Sequence, residues 1–88
     1  DSMDEALAIS NSLPLGLAAF VFSNSIATTD YLSKELQVGS VAVNVFTSPG
    51  GDAPFGGNRQ SGIGREGGHE MYHSYTVAKT IAERRVQV

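Results

Sequence analysis

Two short apolar runs on either side of a helical segment constrain the fold of this chain more than any other feature. Residues 18–22 read Ala-Ala-Phe-Val-Phe, and residues 41–45 read Val-Ala-Val-Asn-Val. Runs this short and this apolar are typical of strands that are buried on both faces. Between them, Asn24 or Ser25 can cap a helix over residues 26–37. The short connections predict an α/β fold built on a βαβ unit with parallel strands and a right-handed crossover.

Local signals bound this unit on both sides. Ser2 and Glu5 form a capping-box pattern that predicts a helix over residues 3–12, and Pro14 ends it. Gly39 stands just after the second helix, where a left-handed residue commonly closes a helix.

Composition limits the classes of function. The chain has 88 residues, a net charge of -3 and no cysteine. We therefore expect one structural unit without disulfides, a thiolate zinc site or a cysteine nucleophile of its own. Charges of both signs are scattered and no apolar run reaches membrane-spanning length, so we expect neither a nucleic-acid nor a membrane partner.

The second half of the chain contains a glycine-rich stretch. Most of the ten glycines lie within residues 50–68, and periodicity is lost from residue 46 to about residue 64. A long loop of this kind in a small domain is usually functional or held by its neighbours. A short helix over residues 66–74 and a C-terminal extended strand over residues 75–88 are predicted to follow.

Gly62, Gly64 and Gly67 match the G-x-G-x-x-G spacing of dinucleotide-binding loops. In that motif the glycines turn directly from a strand into a helix whose N-terminus holds a pyrophosphate. Here the preceding predicted strand ends at residue 45, and too few residues follow Gly67 to complete a nucleotide-binding unit. The sequence therefore argues against nucleotide binding by this segment alone.

His69, Glu70 and His73 match the H-E-x-x-H motif of zinc hydrolases. On a helix, the two histidines would share one face and ligate zinc, with Glu70 as the base. The further Gly and His of the longer metalloprotease signature are absent, and only Glu83 remains as a third ligand. Two partly exposed histidines on a surface helix are the favoured interpretation, with a zinc hydrolase as a distant third hypothesis.

The run from Pro54 to Glu66, Pro-Phe-Gly-Gly-Asn-Arg-Gln-Ser-Gly-Ile-Gly-Arg-Glu, resembles the C-terminal signature of the aldehyde dehydrogenase superfamily. Residues 4–22 resemble that family's helix and following strand, residues 39–44 its next strand, and residues 75–80 its closing segment. The resemblance covers essentially the whole chain. It implies that the chain is part of an aldehyde-dehydrogenase-like fold.

The resemblance implies a parent enzyme that oxidises an aldehyde to a carboxylic acid. In the family, a cysteine thiolate attacks the aldehyde, hydride passes to NAD or NADP, and a glutamate-activated water releases the acid. None of those catalytic residues, and no main cofactor-binding segment, maps onto this chain. The resemblance therefore implies a C-terminal fragment that is inactive alone, binds no cofactor and holds no metal.

Phe55 is the one substrate-binding residue that the resemblance assigns, at the aldehyde and nicotinamide end of the tunnel. An aromatic wall there excludes water and holds an apolar substrate. The structural alternative is ordinary packing of Phe55 between its neighbours. The remaining motif residues are interpreted as shaping the loop: Gly56, Gly57, Ser61, Gly62 and Gly64. Arg65 and Glu66 are interpreted as structural ion-pair partners.

Arg59 departs from the family pattern, which usually has Lys at this position. Arg is a planar fork and Lys a point charge, so a lysine-specific contact is not expected to carry over.

By resemblance, residues 1–76 end the catalytic domain, and residues 77–88 form an oligomerisation strand that builds a homo-oligomer, either a dimer or a tetramer. An aldehyde substrate and a cytoplasmic location are expected for the parent. The alternative from another class is an independent small α/β module that acts in binding or assembly through its exposed terminal strand.

Overall fold

The computed structural model describes residues 1–47 and 50–86. Its elements along the chain are α1 (Met3–Ser10), β1 (Leu15–Gly16), β2 (Ala18–Val21), α2 (Ile26–Glu35), β3 (Ser40–Val43), β4 (Asn58–Arg59) and α3 (Met71–Tyr75). Strands β2 and β3 pair in parallel, with Ala18 opposite Ser40 and Val21 opposite Val43. The predicted βαβ unit with parallel strands is therefore confirmed, with α2 as its crossover.

Serine hydroxyls cap both longer helices: Ser2 as predicted, and Ser25 as one of the two predicted candidates. Ser2 accepts a hydrogen bond from the Glu5 backbone N–H at 3.1 Å, and Ser25 accepts one from the Thr28 N–H at 3.2 Å. The reciprocal half of the capping box, a hydrogen bond from the Ser2 N–H to the Glu5 side chain, is not formed among the described residues. Each cap satisfies an N–H that the first helical turn leaves without a partner.

Asn11 connects the C-terminal ends of the two longer helices. It is the C-cap residue of α1. Its side-chain Nδ2 donates to the Glu35 carbonyl at 3.0 Å, and its Oδ1 accepts from the Gln37 N–H at 2.9 Å. One amide group therefore fixes how the end of α1 lies against the end of α2.

Gly39 does not close α2 in a left-handed conformation, so that prediction is wrong. The helix ends at Glu35, and its C-cap residue, Leu36, has an extended backbone. Gly39 is instead required by close packing, because a Cβ atom there would overlap the carbonyl oxygen of Gly56. The glycine lets the start of β3 lie directly against the backbone of the glycine-rich stretch.

Strands β1 and β4 form an antiparallel pair that the sequence did not predict. Leu15 lies opposite Arg59, and Gly16 lies opposite Asn58. Each strand has two residues, which is too short for any alternation of apolar and polar side chains to be visible in the sequence. The pair brings the glycine-rich stretch back to the residues that precede β2.

The predicted helix over residues 66–74 begins later than expected. Gly67 and Gly68 have φ angles of 73° and 60°, in the left-handed region that a right-handed helix excludes. Helix α3 therefore starts at Met71.

Residues 76–86 form neither helix nor strand. A strand needs a neighbour to pair with, and in the described part of the chain the tail has none. The radius of gyration is 19.4 Å, against about 12 Å for a compact domain of this length. The terminal strand stays a prediction, and its last two residues, Gln87 and Val88, lie outside the described residues.

The core is very small. Within residues 1–47 and 50–86, Val21 is the one buried hydrophobic side chain, with 7% of its surface exposed. Both longer helices lack a buried residue. A concavity of about 640 Å³ lies between α1, β2 and α2 and is lined by aliphatic side chains such as Leu7, Leu32 and Leu36. Its lining residues include no titratable side chain, so it offers no acid, base or charged ligand group.

Candidate functional site

Phe55 lies in the glycine-rich loop (residues 50–68) and is held by a backbone bridge to Glu66. The Phe55 N–H donates to the Glu66 carbonyl, and the Glu66 N–H donates to the Phe55 carbonyl, each at 2.8 Å. Both main-chain groups of Phe55 are thereby fixed, and its side chain is half-buried. The bridge fixes the position of the Phe55 backbone, from which the side chain extends, whereas a loop without this pairing would not.

Two concavities meet at Phe55. One, of about 120 Å³, is lined on the strand side by Ala18, Phe20, Ala42 and Phe46. The other, of about 340 Å³, lies along the loop and is lined by residues including Leu17, Arg65 and Tyr75. Phe55 lines both, so it lies between the sheet surface and the loop.

The Arg65 side chain donates hydrogen bonds to several residues of the glycine-rich loop. Its Nη1 donates to the carbonyls of Gly57 and Gly64 at 2.8 and 3.1 Å, and its Nη2 donates to Asn58 Oδ1 at 2.8 Å. Its backbone N–H donates to Ser74 Oγ at 2.7 Å, which connects the loop to α3. The ion pair predicted between Arg65 and Glu66 is wrong: no described ion pair includes Arg65, and its charge is directed at neutral oxygens.

Gly56 packs too closely for any side chain. A Cβ atom there would overlap the Gly64 carbonyl oxygen and lie 2.9 Å from Cδ of Arg65. The predicted loop-shaping role of this glycine agrees with that contact.

Arg59 and Ser61 anchor the loop to the rest of the unit. The Arg59 guanidinium donates to the carbonyls of Asn11, Leu15 and Gln37 at 3.3, 3.3 and 3.5 Å. Ser61 Oγ accepts from the Gly16 N–H at 2.7 Å. A planar group with several donors suits three separate carbonyls, whereas a lysine ammonium does not match that arrangement. The departure from Lys at position 59 therefore has a structural use here.

Three phenylalanines gather at the carboxyl ends of the parallel strands. The Phe46 ring lies 5.4 Å from that of Phe20 and 4.7 Å from that of Phe22, in tilted arrangements. All three are at least half-exposed. Ligands of open parallel sheets commonly bind beyond the carboxyl ends of the strands, and this aromatic cluster lies at that edge of the β2–β3 pair.

The histidine motif does not form one helical surface. His73 lies within α3, whereas His69 precedes the helix. Among the residues that the structure describes, no group of three His, Cys, Asp or Glu side chains is placed to hold a metal ion. The same residues include no helix long and apolar enough to cross a bilayer.

A model of the aldehyde dehydrogenase family matches residues 1–81. This chain belongs to the aldehyde dehydrogenase family. It is 41% identical over 81 residues to the succinate-semialdehyde dehydrogenase (NADP(+)) of Saccharomyces cerevisiae, covering 92% of this chain and 16% of that protein. It is 40% identical over 80 residues to human mitochondrial aldehyde dehydrogenase, covering 91% of this chain and 16% of that protein.

Solved structures of the aldehyde dehydrogenase family share the fold. The apo betaine aldehyde dehydrogenase of Staphylococcus aureus superposes with a TM-score of 0.83 at 39% identity, over 90% of this chain and 16% of that one. The indole-3-acetaldehyde dehydrogenase of P. syringae, solved with NAD+ and IAA, gives 0.83 at 38% identity, with the same coverage. The chain is thus an aldehyde dehydrogenase segment that spans about 16% of the length of these relatives.

Membership of the aldehyde dehydrogenase family supports the first functional hypothesis and not the independent module. The small core agrees with it, because a segment of a larger fold leaves packing surfaces uncovered. Sequence reasoning assigned Phe55 but missed the anchoring role of Arg59 and the aromatic cluster. Phe46 stands three residues after the end of β3, and this position beyond a strand end was the sequence signal that could have indicated the cluster.

Proposed function

We propose that this segment forms the substrate-side wall of an NAD(P)-dependent aldehyde dehydrogenase, which oxidises an aldehyde to a carboxylic acid. The observation that carries the proposal is the position of Phe55. Its backbone is fixed by Glu66, and the residue lines both the strand-side and the loop-side concavity. Family membership supplies the reaction class.

The chemical role of the wall is to bind the aldehyde and to enclose it. Phe55 stands beside Phe20 and Phe46 along the strand-side concavity. Aromatic rings hold an apolar aldehyde and keep bulk water away from the reacting carbon. No covalent step is assigned to a residue of this chain, because the chain has no cysteine to act as the family's nucleophile.

The cofactor site lies in the rest of the parent. The glycine spacing of residues 62–67 does not fit a pyrophosphate site, because that motif turns directly into a helix and α3 begins only at Met71. Relatives support both cofactors for the parent: one is named for NADP(+), and another was solved with NAD+. We accordingly propose that the isolated chain binds neither cofactor and oxidises no aldehyde.

We also propose that residues 1–76 complete the catalytic domain and residues 77–88 mediate assembly into a dimer or tetramer. The exposed apolar side chains of Val77, Ile81 and Val86 support this role. An extended segment with unpaired backbone groups is a template for pairing with another chain. A cytoplasmic location is proposed for the parent, although relatives carry both cytosolic and mitochondrial names. Microscopy of the tagged full-length protein tests that location.

The test of the substrate wall is Phe55→Ala in the full-length parent. We expect the aldehyde KM to rise by about threefold to tenfold for an aromatic aldehyde, since one aromatic contact is lost. A short aliphatic aldehyde should be affected less, and the melting temperature little. Tyr72→Ala is the matched control, because Tyr72 is 58% exposed on α3 and lines neither concavity. Loss of soluble protein with unchanged aldehyde selectivity would contradict the proposal.

A further inference from the structure

The donors of Arg65 are directed at oxygens of the glycine-rich loop and of α3. The guanidinium reaches Gly57 O, Gly64 O and Asn58 Oδ1, and the backbone N–H reaches Ser74 Oγ. The three guanidinium bonds are partly buried. Charged donors on partly buried neutral acceptors form stronger hydrogen bonds than neutral donors do. Arg65 is therefore a fixed point in the glycine-rich loop.

Arg65 and Glu66 hold the segment of residues 55–58 from its two ends. Glu66 pairs with the backbone of Phe55 at one end. The Arg65 guanidinium binds the Gly57 carbonyl and the Asn58 side chain at the other. Because the two holding residues are consecutive, the segment has little freedom to slide or rotate against them.

The side chain of Arg65 also lies against the residue that follows Phe55. A Cβ atom at Gly56 would be 2.9 Å from Arg65 Cδ and 3.1 Å from Arg65 Nη1. The Arg65 side chain thus packs against the backbone of Gly56, the residue that follows Phe55. A shorter or more flexible side chain at position 65 would not keep this contact with Gly56.

We infer that Arg65 is a positioning residue that sets the place of the Phe55 ring in the substrate wall. The inference rests on the proposed role of Phe55 and adds the group through which that role is maintained. Lysine keeps the charge but offers a single nitrogen, which cannot reproduce the fork that binds Gly57 and Asn58 together. Arg65 acts on the substrate only through Phe55.

A double-mutant cycle in the full-length parent tests this inference. Arg65→Lys should raise the KM for an aromatic aldehyde by about threefold to tenfold with a smaller change in kcat, since uniform substrate binding is weakened. In a Phe55→Ala background, Arg65→Lys should change that KM by less than about twofold, because the ring it positions is gone. Equal KM increases in both backgrounds would overturn the inference.

Two further variants separate positioning from general stability. Asn58→Ala removes only one acceptor of the Arg65 fork, so a smaller KM increase in the same direction is expected if Arg65→Lys proves insoluble. Arg59→Lys is the matched control, because Arg59 also binds backbone carbonyls but on the side of α1, β1 and the end of α2. It should lower the melting temperature without changing the aldehyde KM. A lower melting temperature with unchanged KM for Arg65→Lys and Asn58→Ala would make Arg65 merely structural and would overturn the inference.

The single variants Phe55→Ala and Arg65→Lys distinguish failure of the positioning inference from failure of the proposed substrate wall. If Phe55→Ala raises the aldehyde KM and Arg65→Lys does not, the substrate wall stands and the positioning role is wrong. If Phe55→Ala leaves the aldehyde KM unchanged, the substrate wall itself is wrong.

Discussion

Asn44 binds the backbone of Ser23 in both directions. Asn44 Oδ1 accepts from the Ser23 N–H at 2.9 Å, and Asn44 Nδ2 donates to the Ser23 carbonyl at 3.1 Å. The residue follows β3 directly, and its φ of 57° lies in the left-handed region that asparagine tolerates better than most residues. The side chain thereby continues the parallel pair past the ends of both strands, next to the aromatic cluster.

Asn44→Ala is expected to destabilise the full-length protein by about 1–3 kcal/mol, because it removes both bonds and places alanine at an unfavourable φ. Asn44→Gly should cost less, since glycine accepts the backbone conformation. Urea unfolding measures both. Asn24→Ala, at an exposed position before α2, is the control. Equal unfolding midpoints for Asn44→Ala and Asn24→Ala would show that the Ser23 bonds contribute nothing.

Gly39→Ala is expected to be among the most damaging small substitutions in the chain. Its Cβ would overlap the Gly56 carbonyl oxygen, so β3 and the glycine-rich loop must separate. Gly51→Ala is the control, because a Cβ there meets nothing within 4 Å. Soluble yield and the urea midpoint of the full-length protein should fall for Gly39→Ala and remain near the parent value for Gly51→Ala. Similar behaviour of the two variants would refute the close approach.

Tyr31 should titrate above its ordinary value. Its hydroxyl donates to Asp4 Oδ1 at 3.0 Å, and this bond, with desolvation and the nearby charges of Asp4 and Glu35, raises the pKa of Tyr31 above 10.0. The protonated phenol makes the bond and the phenolate cannot. The contribution to stability is therefore complete below pH 10.0 and is lost as the pH rises through the raised pKa.

Asp4→Asn should lower the pKa of Tyr31, because the carboxylate is the main cause of the rise. Tyrosinate absorbance, taken as the difference between the parent and its Tyr31→Phe variant, measures the titration in each background. An unchanged Tyr31 titration in Asp4→Asn would contradict the hydrogen bond.

The isolated 88-residue chain should unfold in urea without a cooperative transition. Val21 is its one buried hydrophobic side chain among the described residues, and a cooperative transition requires a packed core. Far-ultraviolet circular dichroism across a urea series measures this. A sigmoidal transition together with elution as a compact monomer would favour the independent α/β module instead.

Deleting residues 77–88 from the full-length parent should shift it toward smaller species in size-exclusion chromatography. The deletion removes the exposed apolar side chains of Val77, Ile81 and Val86. Arg84→Gln, which changes charge but keeps those side chains, should leave the elution volume unchanged. Retention of the full assembly after deletion would refute the role of the tail.

The sequence was most informative where periodicity and capping coincide. The strands β2 and β3 and both serine caps were predicted, because an apolar run and a capping hydroxyl are local signals. The role of Gly39 was missed because its cause is the Gly56 backbone, 17 positions away by residue number. The late start of α3 depends on left-handed angles at Gly67 and Gly68 that composition alone does not specify. Phe55 came from family resemblance, and its use in substrate binding stays a prediction.

The pairing of Leu15 with Arg59 has a consequence for the order of folding. Closing a loop between residues so distant in the chain carries an entropic cost that local contacts do not. The βαβ unit and the Phe55–Glu66 bridge join nearer residues, so they are expected to form before β1 meets β4. Interactions made after the rate-limiting step mainly slow unfolding. The Arg59 contacts are then expected to slow the unfolding of the assembled segment and to leave its rate of folding nearly unchanged.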